Sequence, residues 1–398
     1  MTRSPLAVPT GDDAPARGPS DRWPVALVGV VALVVVGVAE PTAARSAAAQ
    51  VWPPFVLVTG LLLVGMVADA DGLFGEAGRL LADLAPGDGP LFVGACLMVA
   101  VVTAVLNLDT AVVFLTPVLV HAARRRASPD GPLVIACILV ANAASLLLPG
   151  SNLTNLLVLG HLRLTGGEFV ARTALPWVLS VLVTGLVVAV GARARPGGSP
   201  GMPPGPATDA SGPPLRLAGP GLAAVVASVV LVLVLPDPAL PVAGVGVVAA
   251  LVRARTGGRS VRSMAASLGA PLLVALFGTA VALGTLGRTW SGPAALLGHL
   301  DAVGTAAVAA VASVLVNNLP AASLLAARTP PHPFALLVGL DIGPNLFVTG
   351  SLAWVLWLRA VRTCGVRPPT ARAVGLGSVS APLAMAVALA ALALTGAH

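Results

Sequence analysis

Residues 334–361 read FALLVGLDIGPNLFVTGSLAWVLWLRAV, an apolar run long enough to cross a bilayer but broken in its middle by Asp341, by Gly343-Pro344 and by Thr349-Gly350-Ser351. Gly and Pro interrupt the i→i−4 ladder and leave backbone amides and carbonyls without helical partners. Within a membrane such backbone is tolerated only where it is buried in protein or lines a wet cavity. An intramembrane carboxylate costs roughly 2.5–3.5 kcal/mol or more, so its retention points to function. The segment therefore reads as a broken transmembrane helix, 334–361, whose two half-helix ends meet at a polar site.

The same pattern occurs earlier in the chain, over 131–164. There Asn142-Ala143-Ala144-Ser145 precedes Pro149-Gly150-Ser151-Asn152-Leu153-Thr154-Asn155. Asn142 to Ser151 and Asp341 to Gly350 are both nine positions, so Asn142 aligns with Asp341 and Asn152 with Ser351. Each broken helix follows an apolar stretch with a polar centre. In 90–123 the centre is Asn107-Leu108-Asp109-Thr110, between arms of about 17 and 14 residues. In 302–328 it is Asn317-Asn318-Leu319-Pro320. Arms this short, meeting at polar residues, predict re-entrant hairpins that turn inside the membrane.

Composition agrees. The 398 residues are 57% hydrophobic and 10% charged, with a mean hydropathy of +0.94; a soluble domain carries roughly 25% charged residues. The net charge of +7 comes from Arg alone, since the chain has no Lys. The arginines sit in loops between apolar spans rather than on one face, which excludes nucleic acid as a partner and makes them topology markers. Placing the Arg124–Arg126, Arg193/Arg195/Arg216, Arg253–Arg262 and Arg359–Arg372 clusters in the cytoplasm sends 23–39 outward and brings 52–68 back. It lays the charged stretch 69–89 along the interface, adds one crossing at 220–235 and sends 268–287 outward, with 288–300 weakly apolar. The N-terminus is then cytoplasmic and the C-terminus outside, in a cell membrane.

The expected fold class is an all-α polytopic membrane protein of two inverted repeats, 23–191 and 219–398, each with a re-entrant hairpin and a broken helix. The polar, Pro-rich residues 1–22 read as a disordered tail, and 192–218 as a flexible cytoplasmic linker. Two related units of opposite orientation are the mark of secondary transporters.

Asp109 is the only charged side chain between Phe92 and Ala123, and Asp341 the only one between Thr329 and Leu358. Both are candidates to carry a proton or cation during transport, although Asp also caps helix ends. The expected substrate or ion site comprises Asn107, Asp109, Thr110, Ser151, Asn152, Thr154, Asn317, Asn318, Asp341, Asn345, Gly350 and Ser351. Cys96, Cys137 and Cys364 are too far apart in sequence for a zinc or disulfide framework, and the histidines fall near span ends. There is no phosphate loop and no nucleophile–base pair, so neither ATPase nor enzyme, and no cofactor or metal, is expected.

These clusters carry a resemblance. Asn317-Asn318-Leu319-Pro320 and Asp341-Ile342-Gly343-Pro344-Asn345…Gly350-Ser351-Leu352-Ala353…Leu356-Trp357-Leu358 resemble the arsenical pump membrane protein (arsenite permease) family. Asn107-Leu108-Asp109-Thr110-Ala111…Thr116-Pro117 and Ser151-Asn152-Leu153-Thr154-Asn155 are similar to that family's first tip and first break. The family belongs to an ion-transporter superfamily that also holds sodium/proton antiporters and dicarboxylate, citrate and sulfate carriers. The resemblance implies elevator-type movement, a homodimer, and efflux of arsenite or antimonite driven by the proton or electrical gradient. A separate ATPase subunit serves some members. The chain departs from the family's pattern at Leu108, between Asn107 and Asp109, at Asn142 in place of Asp, and at Asn345 in place of Lys. A small inorganic oxyanion or neutral hydroxide, with a proton or sodium ion, is the expected cargo. A sodium/proton antiporter and an organic-anion carrier are the alternatives.

Overall fold

The computed structural model describes residues 23–160, 162, 164–194, 219–256 and 270–396. The expected tail 1–22 and most of the expected linker lie outside the described residues. Every regular element among the described residues is helical. In the first half these are α1 (Trp23–Ala39), α2 (Pro41–Ala70), α3 (Leu73–Leu84), α4 (Asp88–Val105), α5 (Leu108–Arg125), α6 (Asp130–Ala144), α7 (Leu153–Leu159) and α8 (Gly166–Ala194). They continue with α9 (Pro220–Val234), α10 (Ala239–Arg255), α11 (Ala270–Thr289), α12 (Gly292–Gly298), α13 (Ala302–Val316), α14 (Asn318–Leu325), α15 (Pro333–Ile342), α16 (Leu352–Thr363) and α17 (Thr370–Thr395).

Five of these helices are long and apolar enough to cross a bilayer by length and composition. The order span, long span, short helix, hairpin, broken helix, long span runs through α1–α8 and again through α10–α17, with α9 left over as a connector. Packing repeats with it: α1 lies against α11 as α10 lies against α2, and α8 meets α17. These contacts are close because their seams lack side chains. A Cβ on Gly278 would sit 2.0 Å from the Gly29 carbonyl oxygen, and one on Gly246 would sit 2.6 Å from that of Gly60. Small residues at helix seams let backbones approach where lipid supplies no hydrophobic drive between helices.

Burial sorts the helices. Residues Leu133–Ala144 of α6 and all of α15 are buried, which is why both are apolar on every face. The outer faces of α1 and α8 instead expose Leu27, Val31, Val35, Leu182 and Leu186, a lipid-facing surface. Trp52 and Trp290 are exposed. Helix α3, within the charged stretch after α2, is amphipathic, with Glu76 paired to Arg79 and Asp83 to Arg125 at 3.0 Å on its exposed side.

Several expectations change. The return span begins at Pro41, not near Trp52, because Pro53 and Pro54 are accommodated inside α2. Residues 192–194, assigned to the linker, are the last turn of α8. Between 216 and 253 there are two helices, not one: α10 supplies a return that Arg253 and Arg255 at its end require if both clusters share a side. Asp71 and Arg253, read as interfacial and loop charges, are instead buried together. Asp71 Oδ1 lies 2.9 Å from Arg253 Nε; its Oδ2 accepts from the Gly221 amide at 2.8 Å, and Arg253 Nη2 donates to the Ala70 carbonyl at 3.1 Å. This pair ties the ends of α2 and α10 to the start of α9.

Candidate functional site

The two hairpin turns and the two helix breaks converge. Leu108 and Asp109 from the first tip, Asn152 and Leu153 from the first break, Asn317, Asn318 and Leu319 from the second tip, and Ser351 and Leu352 from the second break line one cleft, closed on one side by Leu276 of α11. Its water-accessible space is about 20 Å³, room for about one water. The lining is one carboxylate, carboxamides, a hydroxyl and apolar side chains.

Local sequence explains each tip. Asn107 caps α5 by accepting from the Thr110 amide at 2.7 Å, a normal use of Asn at an N-cap. Asn317 caps α14 by accepting from the Leu319 amide at 3.4 Å; it adopts φ 77°, a left-handed conformation that Asn tolerates better than most residues. Behind the cleft the breaks cross-link the halves reciprocally. Asp341 Oδ1, fully buried on α15, accepts from Asn152 Nδ2 at 2.9 Å and from Thr154 Oγ1 at 2.6 Å. Asn142, its counterpart on α6, accepts at Oδ1 from Ser351 Oγ at 3.1 Å and donates from Nδ2 to Asn345 Oδ1 at 3.0 Å. Asn345 Nδ2 in turn donates to the Leu139 carbonyl at 2.9 Å. Each half thus offers its helix-end residue to the other half's break.

The freed carbonyls of the breaks find donors. Trp354 Nε1 donates to the Pro344 carbonyl at 2.8 Å, and Trp177 Nε1 to that of Ala144 at 3.0 Å. Asn155 Nδ2 serves the carbonyls of Ser145 and Leu148 at 2.7 and 3.0 Å. Gly350 is required sterically: a Cβ there would lie 2.5 Å from Pro344 Cα and 2.8 Å from its oxygen.

The twelve expected residues therefore divide. Asp109, Asn152, Asn317, Asn318 and Ser351 line the cleft. Asp341, Thr154 and Asn345 lie in the buried network behind it. Asn107 and Thr110 are buried beneath the first tip. Ser151 hydrogen-bonds the carbonyls of Ser145 and Leu148, closing its own loop, and Gly350 shapes the second break. Sequence reasoning aligned Asn142 with Asp341 but left it, Ser145 and Asn155 out of the site. The nine-residue register was the signal for Asn142. Trp177 and Trp354 carried none, since an apolar indole in an apolar span reads as packing.

An all-helical, multi-pass chain with a polar cleft at the meeting of broken helices defines a membrane transporter rather than an enzyme. The family model described as CitMHS, citrate transporter, matches residues 16–356, most of the chain, and the chain belongs to that family of secondary transporters. Among solved structures, the crystal structure of the Alcanivorax borkumensis YdaH transporter, described as having an unusual topology, is similar with a TM-score of 0.44 and 13% identity, over 95% of this chain and 97% of that one.

Proposed function

We propose that this chain moves a small, oxygen-rich solute through the cleft between the two tips, coupled to a proton or cation, and that the solute is a citrate-type carboxylate carried with its cation. The observation that carries this reading is the cleft's lining: Asp109 among amides and a hydroxyl, without an arginine. A bare polyanion there would face a carboxylate with no countercharge, which is strongly unfavourable in a desolvated site. A carboxylate accompanied by a cation meets Asp109 without that penalty, and the CitMHS membership supports the substrate class. The helix N-termini of α5 and α14 add backbone dipoles suited to the solute's oxygens.

The uncharged remainder of the lining also suits a neutral trihydroxide. Efflux of arsenite or antimonite, supported by the tip and break motifs, is therefore the second reading. Sodium/proton exchange without a solute is the third. In this scheme α1–α8 and α10–α17 are inverted in the membrane, because each contains four crossings when the hairpins return to their own side and the single connecting crossing of α9 starts the second unit from the opposite face. The termini then lie on opposite faces, the N-terminus in the cytoplasm. Elevator-type movement and a homodimer belong to the same proposal.

Proteoliposomes holding the purified chain decide among these. With an imposed pH gradient, uptake of labelled citrate that requires magnesium and is lost in Asp109→Asn supports the first reading. Arsenite flux without citrate flux replaces it by the second. A sodium-driven change in internal pH with neither solute replaces both.

A further inference from the structure

The two tips are matched in sequence but not in attachment. The second is tied to its own half's broken helix. The Asn318 amide donates to the Gly350 carbonyl at 2.9 Å, Asn317 Nδ2 donates to the Thr349 carbonyl at 3.3 Å, and Thr349 Oγ1 donates to the Val314 carbonyl at 2.5 Å. The left-handed backbone of Asn317 persists because these bonds hold it.

The first tip has no such tie. Among the described residues no hydrogen bond joins Leu106–Ala111 to the first break, whose donors go elsewhere: Ser151 and Asn155 turn onto the carbonyls of Ser145 and Leu148, and Asn152 and Thr154 onto Asp341 of the other half. What the first tip holds instead is unspent. Asn107 Nδ2 and Thr110 Oγ1 are buried without a partner, on residues 2% and 0% exposed, and Asp109 faces the cleft beside them in sequence. A buried donor left unpaired is costly and is rarely retained. Two in one turn, behind a cleft-facing carboxylate and outside the cleft's present lining, are free to serve oxygen atoms that enter when the tip moves.

From this asymmetry we infer that the first hairpin, α4–α5, is the movable wall of the cleft, docked by ligand through Asn107, Asp109 and Thr110, while the second hairpin is a fixed wall latched to its broken helix. The inference rests on the cleft being the substrate site, but the latch itself does not. Cargo oxygens accept from Asn107 Nδ2 and Thr110 Oγ1, the accompanying cation or proton meets Asp109, and the tip closes over them. Opening costs the first tip no protein hydrogen bond, whereas opening the second breaks three.

Hydrogen–deuterium exchange with mass spectrometry, on the full chain in lipid nanodiscs, tests both parts. Without ligand, amides 104–111 should exchange at least about tenfold faster than 316–319. Adding magnesium citrate, or in a second arm arsenite, should slow the first set and leave the second unchanged for whichever probe binds in a parallel equilibrium-binding measurement. The Thr349→Val variant should speed exchange in 316–319 only. Equal exchange at the two tips without ligand overturns the latch. Demonstrated binding that protects the second tip, or neither, overturns the movable first wall. If neither probe binds, the substrate reading fails, and the ligand-free comparison still decides the latch.

Discussion

Gly350→Ala tests the architecture of the site at one atom. The added Cβ would stand 2.5 Å from Pro344 Cα and 2.8 Å from the Pro344 oxygen. Both neighbours are backbone and cannot rotate away, so the second break must shift. Overpacking of this kind costs about 1–3 kcal/mol. The shift also strains the bond from the Asn318 amide to the Gly350 carbonyl, 2.9 Å long, whose loss adds about 0.5–1.5 kcal/mol. The expected destabilisation is therefore about 1.5–4.5 kcal/mol, with the second tip loosened and transport lowered. Gly375→Ala is the matched control: it lies in α17 with nothing within 4 Å of its would-be Cβ, and Ala gains about 0.5–1 kcal/mol over Gly in a helix. Purified variants would be heated in detergent and the surviving monodisperse fraction followed by size-exclusion chromatography. Gly350→Ala should lose its peak at clearly lower temperature than the parent, and Gly375→Ala at the same temperature or higher. A Gly350→Ala protein as heat-resistant and as active as the parent would refute the close approach of Gly350 to Pro344, and with it the latch.

Other outcomes follow from individual contacts. Thr154→Val keeps the shape but removes a 2.6 Å hydroxyl bond to Asp341; a buried bond to a carboxylate is worth about 1.5–3 kcal/mol, so transport should fall about tenfold or more, measured by initial uptake rate in proteoliposomes. Thr184→Val on α8 removes a buried hydroxyl that already lacks a partner and should be neutral or mildly stabilising in the same heating assay. Arg253→Met leaves Asp71 buried and unpaired and should cost about 3–5 kcal/mol, and the double variant Asp71→Asn/Arg253→Met should recover part of that loss; a double variant no better than the single one would show the pair is uncoupled. Trp354→Phe strips the Pro344 carbonyl of its 2.8 Å donor, at about 1–3 kcal/mol, visible as a lower melting temperature with little change in solute preference.

Much of this protein was legible before any coordinates. Hydropathy and the near absence of charge in long apolar runs dictated a helical membrane chain, because unpaired backbone cannot face lipid. Gly, Pro and polar residues clustered mid-span marked both breaks and both tips, and the equal nine-residue spacing paired the halves. What escaped was whatever depends on a partner distant in the chain. Asp71 and Arg253 look like ordinary boundary charges in sequence; only packing of α2 against α10 buries them side by side. Helix α10 went unassigned because a single crossing, 220–235, was placed between Arg216 and Arg253; its small residues make its close seam with α2. Above all, the two tips read as equivalents, each a polar turn between apolar arms. Their difference lies in whether a carbonyl from another segment stands within reach of the tip's donors, as that of Gly350 does for Asn318. Periodicity and composition encode what each segment needs, an apolar face or a partner for a freed amide; which segment meets the need is settled only when the chain has folded and donors and acceptors far apart in sequence come within hydrogen-bonding distance.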